Sequence, residues 1–273
     1  MRVGRFQVRV HNHGFFRLDG GAMFGTVPKT LWARETPPDD DNRVLLATRS
    51  LIVEDGERTL LIDTGCGDKW SAKNRAIYGF DEGPHLPVPG VTDLLLTHLH
   101  FDHAGGLSRY ADSSQSLEPC YPSATHYVSA TNYENAKTPN VRERGSYLGE
   151  NIDILERVKL HLIEDGDEVW PGLTVHRLDG HTHGLTWGKL TDGDATVAFP
   201  ADLIPTSKHL PVPWVMGYDI CAERSMQEKQ EFLARAIEES WIVVFEHDPV
   251  VAAARLSLDE RGRAVVEEPV DLS

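Results

Sequence analysis

The chain has 273 residues and carries 42 acidic against 27 basic side chains, a formal net charge of −15. Nucleic-acid binding and docking on anionic membranes both depend on a basic surface, so we expect neither partner. No apolar run approaches the roughly 20 residues of a membrane-spanning helix. A composition of 40% hydrophobic and 25% charged residues is typical of a globular protein, and no linker divides it, so we predict a single domain over residues 1–273.

Strand patterns dominate the first half of the chain. Residues 44–53 and 58–62 are predicted strands joined by a hairpin turn. Residues 68–78 are predicted to form a helix. The apolar run at residues 94–96 is typical of a short strand that is buried on both faces.

The second half mixes strands with one clear helix. The predicted strands cover residues 159–163, 173–178, 185–190, 196–199 and 241–245, and a hairpin turn lies near residues 259–262. The helix is predicted over residues 223–240, with Ser225 and Glu228 as a capping box. Its apolar face contains Phe232, Leu233, Ala236 and Ile237. Because helices are interspersed among more numerous strands, we predict a layered α/β sandwich.

The cysteine content indicates the cellular compartment. Cys66, Cys120 and Cys221 are widely spaced, odd in number and form no CxxC pair. They suit neither a disulfide framework nor a zinc knuckle. The N-terminus also lacks the pattern of a signal peptide. We therefore expect a reducing, cytoplasmic location.

The six residues from His98 to His103 read His-Leu-His-Phe-Asp-His and directly follow a predicted strand. Side chains alternate along an extended chain, so this segment can serve two metal centres. His98 and His100 would bind the first metal ion, and Asp102 and His103 would face the second. A catalytic zinc-like site needs at least three protein ligands and an open position, so further ligands must come from elsewhere.

Further candidate ligands follow predicted strands. His181, Asp202 and His247 each lie just past an apolar segment. Strand ends along one edge of a sheet converge in space, so we predict that these residues complete the metal site. Asp63 obeys the same rule, and we expect it to orient a ligand histidine rather than to touch the metal.

These residues together resemble the metallo-β-lactamase superfamily, whose hallmark is the HxHxDH segment found here at residues 98–103. Asp63-Thr64-Gly65 and Gly180-His181-Thr182 are similar to two further motifs of that family. The resemblance implies a four-layer αββα sandwich with a dinuclear centre at one edge. It implies the following ligands: His98, His100 and His181 for metal one; Asp102, His103 and His247 for metal two; and Asp202 bridging both.

Residues 96–106 look most like the branch of quorum-quenching lactonases and organophosphate hydrolases. Lactonases of that branch often place a tyrosine shortly after the bridging aspartate, whereas the next tyrosine after Asp202 is Tyr218. Five residues in irregular segments either line a substrate pocket or belong to the core: Phe24, Trp32, Trp214, Met216 and Tyr218. His183 and His209 are expected near the site without an assigned role.

The expected activity is metal-dependent hydrolysis of a small-molecule ester, a lactone or related carboxylic ester, by a hydroxide that bridges two divalent metal ions. Zinc is the expected metal, and manganese, iron and cobalt stay open. Asp102 is the predicted catalytic proton shuttle. The alternatives are a phosphotriester or phosphodiester hydrolase, a mononuclear iron-dependent dioxygenase of the same fold, and a non-catalytic binding protein. A homodimer is left open.

Overall fold

The computed structural model describes residues 1–81, 87–111 and 116–273, and most of its strands form two sheets. In their order across the sheet, the strands of the N-terminal sheet are β1 (Arg2–Val3), β2 (Phe6–Asp19), β3 (Arg43–Glu54), β4 (Thr59–Ile62), β5 (Asp93–Leu96), β8 (Thr125–Ser129) and β9 (Lys159–Ile163). The strands of the C-terminal sheet lie in chain order and are β10 (Glu168–Trp170), β11 (Leu173–Leu178), β12 (Leu185–Asp192), β13 (Ala195–Phe199), β14 (Ile242–Val244), β15 (Ala253–Leu258) and β16 (Ala264–Pro269).

The remaining elements are a small hairpin and the helices. The hairpin pairs β6 (Ser108–Ala111) with β7 (Ser116–Pro119). The helices are α1 (Gly20–Phe24), α2 (Lys29–Glu35), α3 (Ala72–Tyr78), α4 (Phe101–Ala104), α5 (Ala130–Lys137), α6 (Gly149–Asp153) and α7 (Ala222–Glu238). No helix in these described ranges is long and apolar enough to cross a bilayer.

The two sheets pack face to face, and helices cover their outer faces. Strand β5 shows this arrangement, because Leu95 joins the core between the sheets while Leu94 and Leu96 pack in the cluster that contains α5 and α6. On the other side, Phe232 of α7 meets Trp187 of β12 edge to face at 5.0 Å and Trp241 at 5.6 Å. The predicted four-layer αββα sandwich is confirmed.

Three local predictions were wrong. Helix α3 begins at Ala72 rather than at residue 68, because Ser71 caps it by accepting a hydrogen bond from the backbone N–H of Asn74. The predicted capping box of α7 is absent, because this helix already begins at Ala222, so Ser225 lies inside it. Residues 101–104 form a helical turn and not an extended segment. The ligand side chains of the HxHxDH motif therefore point in different directions because of this turn, not because of strand alternation.

The direction of the strands places the candidate ligands at one edge of the sandwich. Strand β4 is parallel to β5. In the other sheet β13 is parallel to β14, and β11 runs the same way because two antiparallel pairings separate it from β13. The residues that follow these strands therefore meet at the same edge. Hydrogen bonds from the N–H of Ala47 to the carbonyl of His247 (3.0 Å) and from Arg49 to Glu246 (3.2 Å) join the two sheets there.

Candidate metal centre

The first group of ligands collects around His100. Nδ1 of His100 lies 3.0 Å from Nε2 of His98 and 3.2 Å from Nε2 of His181. Oδ2 of Asp202 lies 3.1 Å from the same His181 nitrogen. One atom from each of these four buried residues fits within 4.8 Å of the others. Three imidazole nitrogens and a carboxylate at this spacing could hold one divalent cation.

The second group lies directly beside the first. Nε2 of His103 and Nε2 of His247 are 3.3 Å apart. The Asp102 carboxylate lies 3.8 Å from the former nitrogen and 3.7 Å from the latter. Asp202 also reaches this group, since its two oxygens lie 3.5 Å from Nε2 of His103 and 3.2 Å from Nε2 of His247. All seven residues predicted as metal ligands are therefore brought together, with Asp202 between the two groups.

The ligand atoms lack the partners that buried polar groups require. Oδ1 of Asp202 is buried and accepts no hydrogen bond from any described residue, although a histidine nitrogen lies 3.2 Å away. Neighbouring imidazole nitrogens face one another, and a deprotonated nitrogen cannot satisfy another one. Buried polar atoms left in this state are costly unless a ligand completes them. The residues present therefore fit a pair of divalent cations.

Outer contacts fix four of the five imidazole rings through the nitrogen that faces away from the site. Nδ1 of His98 lies 3.1 Å from the hydroxyl of Thr97, and Nδ1 of His181 lies 2.9 Å from Oδ1 of Asp219. Nδ1 of His247 donates to the carbonyl of Ala47 at 2.8 Å, and Nδ1 of His103 lies 3.1 Å from Asp63. Such contacts set the orientation and tautomer of ligand histidines.

Asp63 has the outer role that the sequence predicts. Its carboxylate accepts hydrogen bonds from the backbone N–H of Thr97 at 2.8 Å and from the Thr97 hydroxyl at 2.6 Å, which leaves Oδ2 directed at His103. Asp63 itself has a φ of 62°, a left-handed conformation that aspartate adopts more readily than most residues. The segment before the HxHxDH motif is thereby tied to the end of β4.

The fifth imidazole, that of His100, faces a buried polar network. Its Nε2 lies 3.8 Å from Oε2 of Glu143. That carboxylate accepts a hydrogen bond from Thr182 at 2.7 Å and others from Asn135 and Asn140 at 3.0 and 2.8 Å. Burial alone would raise the pKa of Glu143, but these hydrogen bonds and His100 lower it to about 2. Glu143 is therefore an anion that supports His100 and the loop of His181 together.

The electrostatics of the cluster favour positive charge. Burial would raise the pKa of Asp202, but the imidazoles of His103, His181 and His247 lower it well below its usual range. Burial would lower the pKa of His247, but the Asp202 carboxylate raises it to about 9. By contrast, burial and the neighbouring imidazoles lower the pKa of His98 well below 6.5. A cluster that keeps Asp202 ionised and draws in positive charge is suited to divalent cations.

Glu246 was not predicted as a residue of the site. With Asp63 and His103 it forms a third cluster of buried ionisable side chains, beside the two ligand groups. Oε2 of Glu246 and Oδ2 of Asp63 both lie 3.1 Å from Nδ1 of His103. One imidazole N–H serves one carboxylate well, and neither oxygen of Glu246 accepts a hydrogen bond from the described residues. Burial and the Asp63 charge raise the pKa of Glu246 to about 8. We therefore interpret this group as support for His103 and not as another metal site.

The loop that carries His181 is held by α7. The Glu228 carboxylate accepts hydrogen bonds from the backbone N–H groups of Asp179 at 2.9 Å and Gly180 at 3.1 Å. This is the carboxylate that the sequence assigned to a capping box. Gly180 is required here, because a Cβ at this position would collide with the backbone and hydroxyl of Ser225. The backbone of α7 and the backbone of the His181 loop are therefore in close contact.

A pocket of about 220 Å³ opens onto both ligand groups. Its floor contains His100, Asp102, His181, Asp202 and His247. Its walls are mostly apolar or aromatic: Leu18, Met23, Leu46, Tyr78, Phe101, Met216 and Tyr218. Burial and the Asp102 charge raise the pKa of Tyr218, so its hydroxyl keeps its proton at neutral pH. The pocket thus combines a polar floor with an apolar wall.

The other candidate pocket residues divide between pocket and core. Met216 and Tyr218 line the pocket, whereas Phe24 and Trp32 stack on each other in the core at 5.3 Å, and Trp214 packs against them. His183 is exposed, and His209 is buried behind Met23. Asp219, Glu143 and Glu228 were missed, because polar residues far from the HxHxDH motif give no periodic or motif signal; Glu246 is marked only by its position before His247.

Comparison with known proteins assigns the family. The model of the metallo-beta-lactamase superfamily matches residues 43–247, which include all seven ligand positions. The chain belongs to this superfamily. As a superfamily member it is an enzyme of a hydrolase family with a histidine and aspartate site that could bind metal ions.

Several known proteins are similar over most of the chain. A structure described as a probable metal-dependent hydrolase from Staphylococcus aureus is 29% identical, with a TM-score of 0.88, and the match covers 99% of this chain and 100% of that one. The dizinc quorum-quenching lactonase AidC, solved with the product N-hexnoyl-L-homoserine, is 19% identical with a TM-score of 0.76 and coverage of 100% and 96%. The acyl-coenzyme A thioesterase MBLAC2 of Gallus gallus is 25% identical over 208 residues, which are 72% of this chain and 71% of that protein.

Proposed function

We propose that this superfamily member hydrolyses a small-molecule carboxylic ester, either a lactone or a related ester or thioester, with two divalent metal ions as cofactors. The observation that carries the proposal is the pair of adjoining His/Asp groups, each of which could hold a metal ion, at the floor of an apolar-walled pocket. Zinc is the favoured metal for a site of five histidines and two aspartates, with manganese, iron and cobalt as alternatives. The lactonase and the thioesterase among the similar proteins both act on acyl compounds, which supports this substrate class.

Divalent cations bound to these residues would supply Lewis-acid activation of a water molecule and of the ester carbonyl. The residues of the chain would hold these cations in position and neutralise part of their charge. Asp202 and Asp102 place two negative charges among five imidazoles, so the centre keeps a net positive charge when it is loaded. The Asp102 carboxylate lines the pocket and lies 3.8 Å from Nε2 of His103 and 3.7 Å from Nε2 of His247. It is therefore the side chain that accepts and returns the proton during hydrolysis.

Tyr218 gives the pocket a hydrogen-bond donor beside this centre. Its pKa is raised by burial, so the phenol is neutral and can donate to an oxygen of the substrate. The described lining of the pocket includes no lysine or arginine. A neutral ester therefore fits this pocket better than a phosphodiester anion, which would call for a cationic side chain beside the metal site.

The second ligand group argues for the dinuclear hydrolase over the mononuclear dioxygenase. An iron oxygenase of this fold would use one metal ion and would leave His103, Asp202 and His247 without a common task. In this structure Oδ2 of Asp202 lies 3.5 Å from Nε2 of His103, and Oδ1 of Asp202 lies 3.2 Å from Nε2 of His247. The two histidine nitrogens are 3.3 Å apart. A second cation would account for this buried arrangement, which supports the dinuclear hydrolase.

The test combines elemental analysis with a substrate panel. Purified protein is expected to hold two metal equivalents, to hydrolyse members of a panel of lactones, carboxylic esters and thioesters, and to lose activity on chelation. Asp102→Ala should lose most of this activity, on the order of 100-fold or more, because it removes the proton acceptor. The exposed Asp194 gives the matched control, Asp194→Ala. Full activity in metal-stripped protein would refute the proposal, and one iron per chain with oxygen uptake would favour the dioxygenase.

A further inference from the structure

A second cavity lies against the wall of the catalytic pocket. Its volume is about 310 Å³, and it shares Met23 and Leu46 with that pocket. Both side chains are buried, with 1% and 2% of their surface exposed. They form the divide between the two spaces. Methionine is unbranched and flexible, so this divide can shift without disturbing the sheet.

One wall of the second cavity is a flat aromatic stack. Phe24 lies parallel to His209, with ring centroids 4.6 Å apart and an interplanar angle of 6°. Both His209 nitrogens are engaged, because Nε2 donates to the Met23 carbonyl at 2.9 Å and Nδ1 lies 2.8 Å from the Thr206 hydroxyl. Burial and the Lys229 charge lower the pKa of His209 to about 4, so the ring is neutral. These two rings therefore give this wall an uncharged aromatic surface.

The polar groups of the opposite wall are already satisfied. The Asp248 carboxylate accepts hydrogen bonds from the N–H and hydroxyl of Ser207 and from the N–H groups of Val250 and Val251. Glu35 and Lys208 also line the cavity and pair with each other at 3.3 Å, and the rest of the lining is largely apolar. At the outer rim Val250 is 84% exposed, so the cavity is open to solvent on that side.

The size of the two spaces matches a substrate with an extended tail. Sites for organic ligands typically enclose about 300–1,000 Å³. The catalytic pocket alone, at about 220 Å³, is smaller than this range, and the two cavities together fall within it. We infer that the second cavity binds the unbranched acyl chain of the substrate, which enters between Met23 and Leu46 from a carbonyl group held at the ligand cluster. The catalytic part of this inference rests on the proposed function, whereas the binding of an alkyl chain does not.

Thr36 offers a way to fill the second cavity without touching the ligands. It lines that cavity, follows α2 with a φ of −138°, and is partly exposed, so a tryptophan there can be accommodated. Thr138 is its matched control, because it follows α5 with a φ of −136° and lines neither cavity. Val251→Phe fills the cavity from the opposite wall and serves as a second variant.

The experiment measures alkyl-chain binding and hydrolysis separately. Calorimetry on the purified protein as isolated compares 1-octanol with 1-butanol, and kinetics on metal-loaded protein compare the p-nitrophenyl esters of octanoate and butyrate. Each buried methylene contributes roughly fourfold in affinity, so Thr36→Trp should weaken 1-octanol binding and octanoate kcat/KM about tenfold or more. Butyrate hydrolysis should stay within about twofold, and Thr138→Trp should match the wild type.

The two readouts separate the inference from the proposed function. If no ester, thioester or lactone is hydrolysed but Thr36→Trp abolishes 1-octanol binding, the proposed function fails and the alkyl site stands. If the wild type fails to bind 1-octanol more tightly than 1-butanol, the inference is overturned. Unchanged 1-octanol binding in both Thr36→Trp and Val251→Phe overturns it as well, whatever the hydrolytic activity.

Discussion

Lys229 of α7 is a buried cation whose titration should be visible in the stability of the protein. Its side chain is 1% exposed, and its Nζ donates hydrogen bonds to the carbonyls of His209 at 2.9 Å and Trp214 at 2.6 Å. Burial lowers the pKa of Lys229 from 10.5 to about 7, opposed only in part by Asp219. The amine thereby anchors the segment that leads into the pocket wall at Met216.

The sign and size of the effect follow from this pKa. Between pH 7 and 10.5 the unfolded chain holds a proton on Lys229 that the folded chain releases, so the free energy of unfolding rises with pH in this window. Below pH 7 both states are charged and the cost of burying the charge is fully present. Each pKa unit corresponds to about 1.4 kcal/mol, so Lys229 should add about 3 kcal/mol to the stability between pH 7 and 9.5.

Urea unfolding of the wild type and Lys229→Met at several pH values tests this reasoning. The variant leaves two carbonyls without a donor, a cost of about 1–3 kcal/mol each that stays constant with pH. The wild-type stability minus the variant stability should therefore grow by about 3 kcal/mol from pH 7 to 9.5. Lys73→Met, at an exposed position, should show no such growth. A difference for Lys229→Met that does not change with pH would refute the argument.

Three further outcomes are expected. Glu228→Gln should weaken metal binding about tenfold in competition with a chelator, because the His181 loop loses its anionic anchor, whereas Glu231→Gln on the exposed face of α7 should not. Phe232→Ala should lower the free energy of unfolding by about 3–5 kcal/mol in urea titrations, without changing the metal content. Gly105→Ala should lower both metal content and stability, because the new Cβ would collide with the backbone of Cys66; Gly149→Ala meets no atom within 4 Å and should leave both unchanged.

The sequence predicts the fold and the clustering of the seven candidate ligands, because both depend on strong local patterns. The apolar run of β5 indicates a strand buried on both sides, and its Leu94, Leu95 and Leu96 do face two different cores. Ligands placed at the ends of strands converge whenever the strands run in the same direction, which holds for β11, β13 and β14. The separation into two ligand groups was also anticipated, although a helical turn at Phe101 and not strand alternation produces it.

The supporting residues could not be predicted, since their roles exist only in three dimensions. Glu228 has the spacing of a capping box with Ser225, but its helix already begins at Ala222. Its carboxylate instead accepts a hydrogen bond from Gly180, 48 residues earlier in the chain. Asp219 and Glu143 approach His181 and His100 from separate loops. No pattern of hydrophobicity or spacing marks such partners, because a carboxylate in a loop is ordinarily solvated.

The late position of His247 in the chain sets when the candidate centre can be completed during synthesis. The imidazole of His247 is oriented by a carbonyl 200 positions earlier in the chain. A partly made polypeptide already carries the HxHxDH segment, but it lacks the strand that delivers its last histidine until almost the whole domain has been translated. Contacts between such distant positions form late and slowly. We therefore expect full metal binding only after the C-terminal sheet has formed, and truncation shortly before residue 247 should leave the second ligand group without its last histidine.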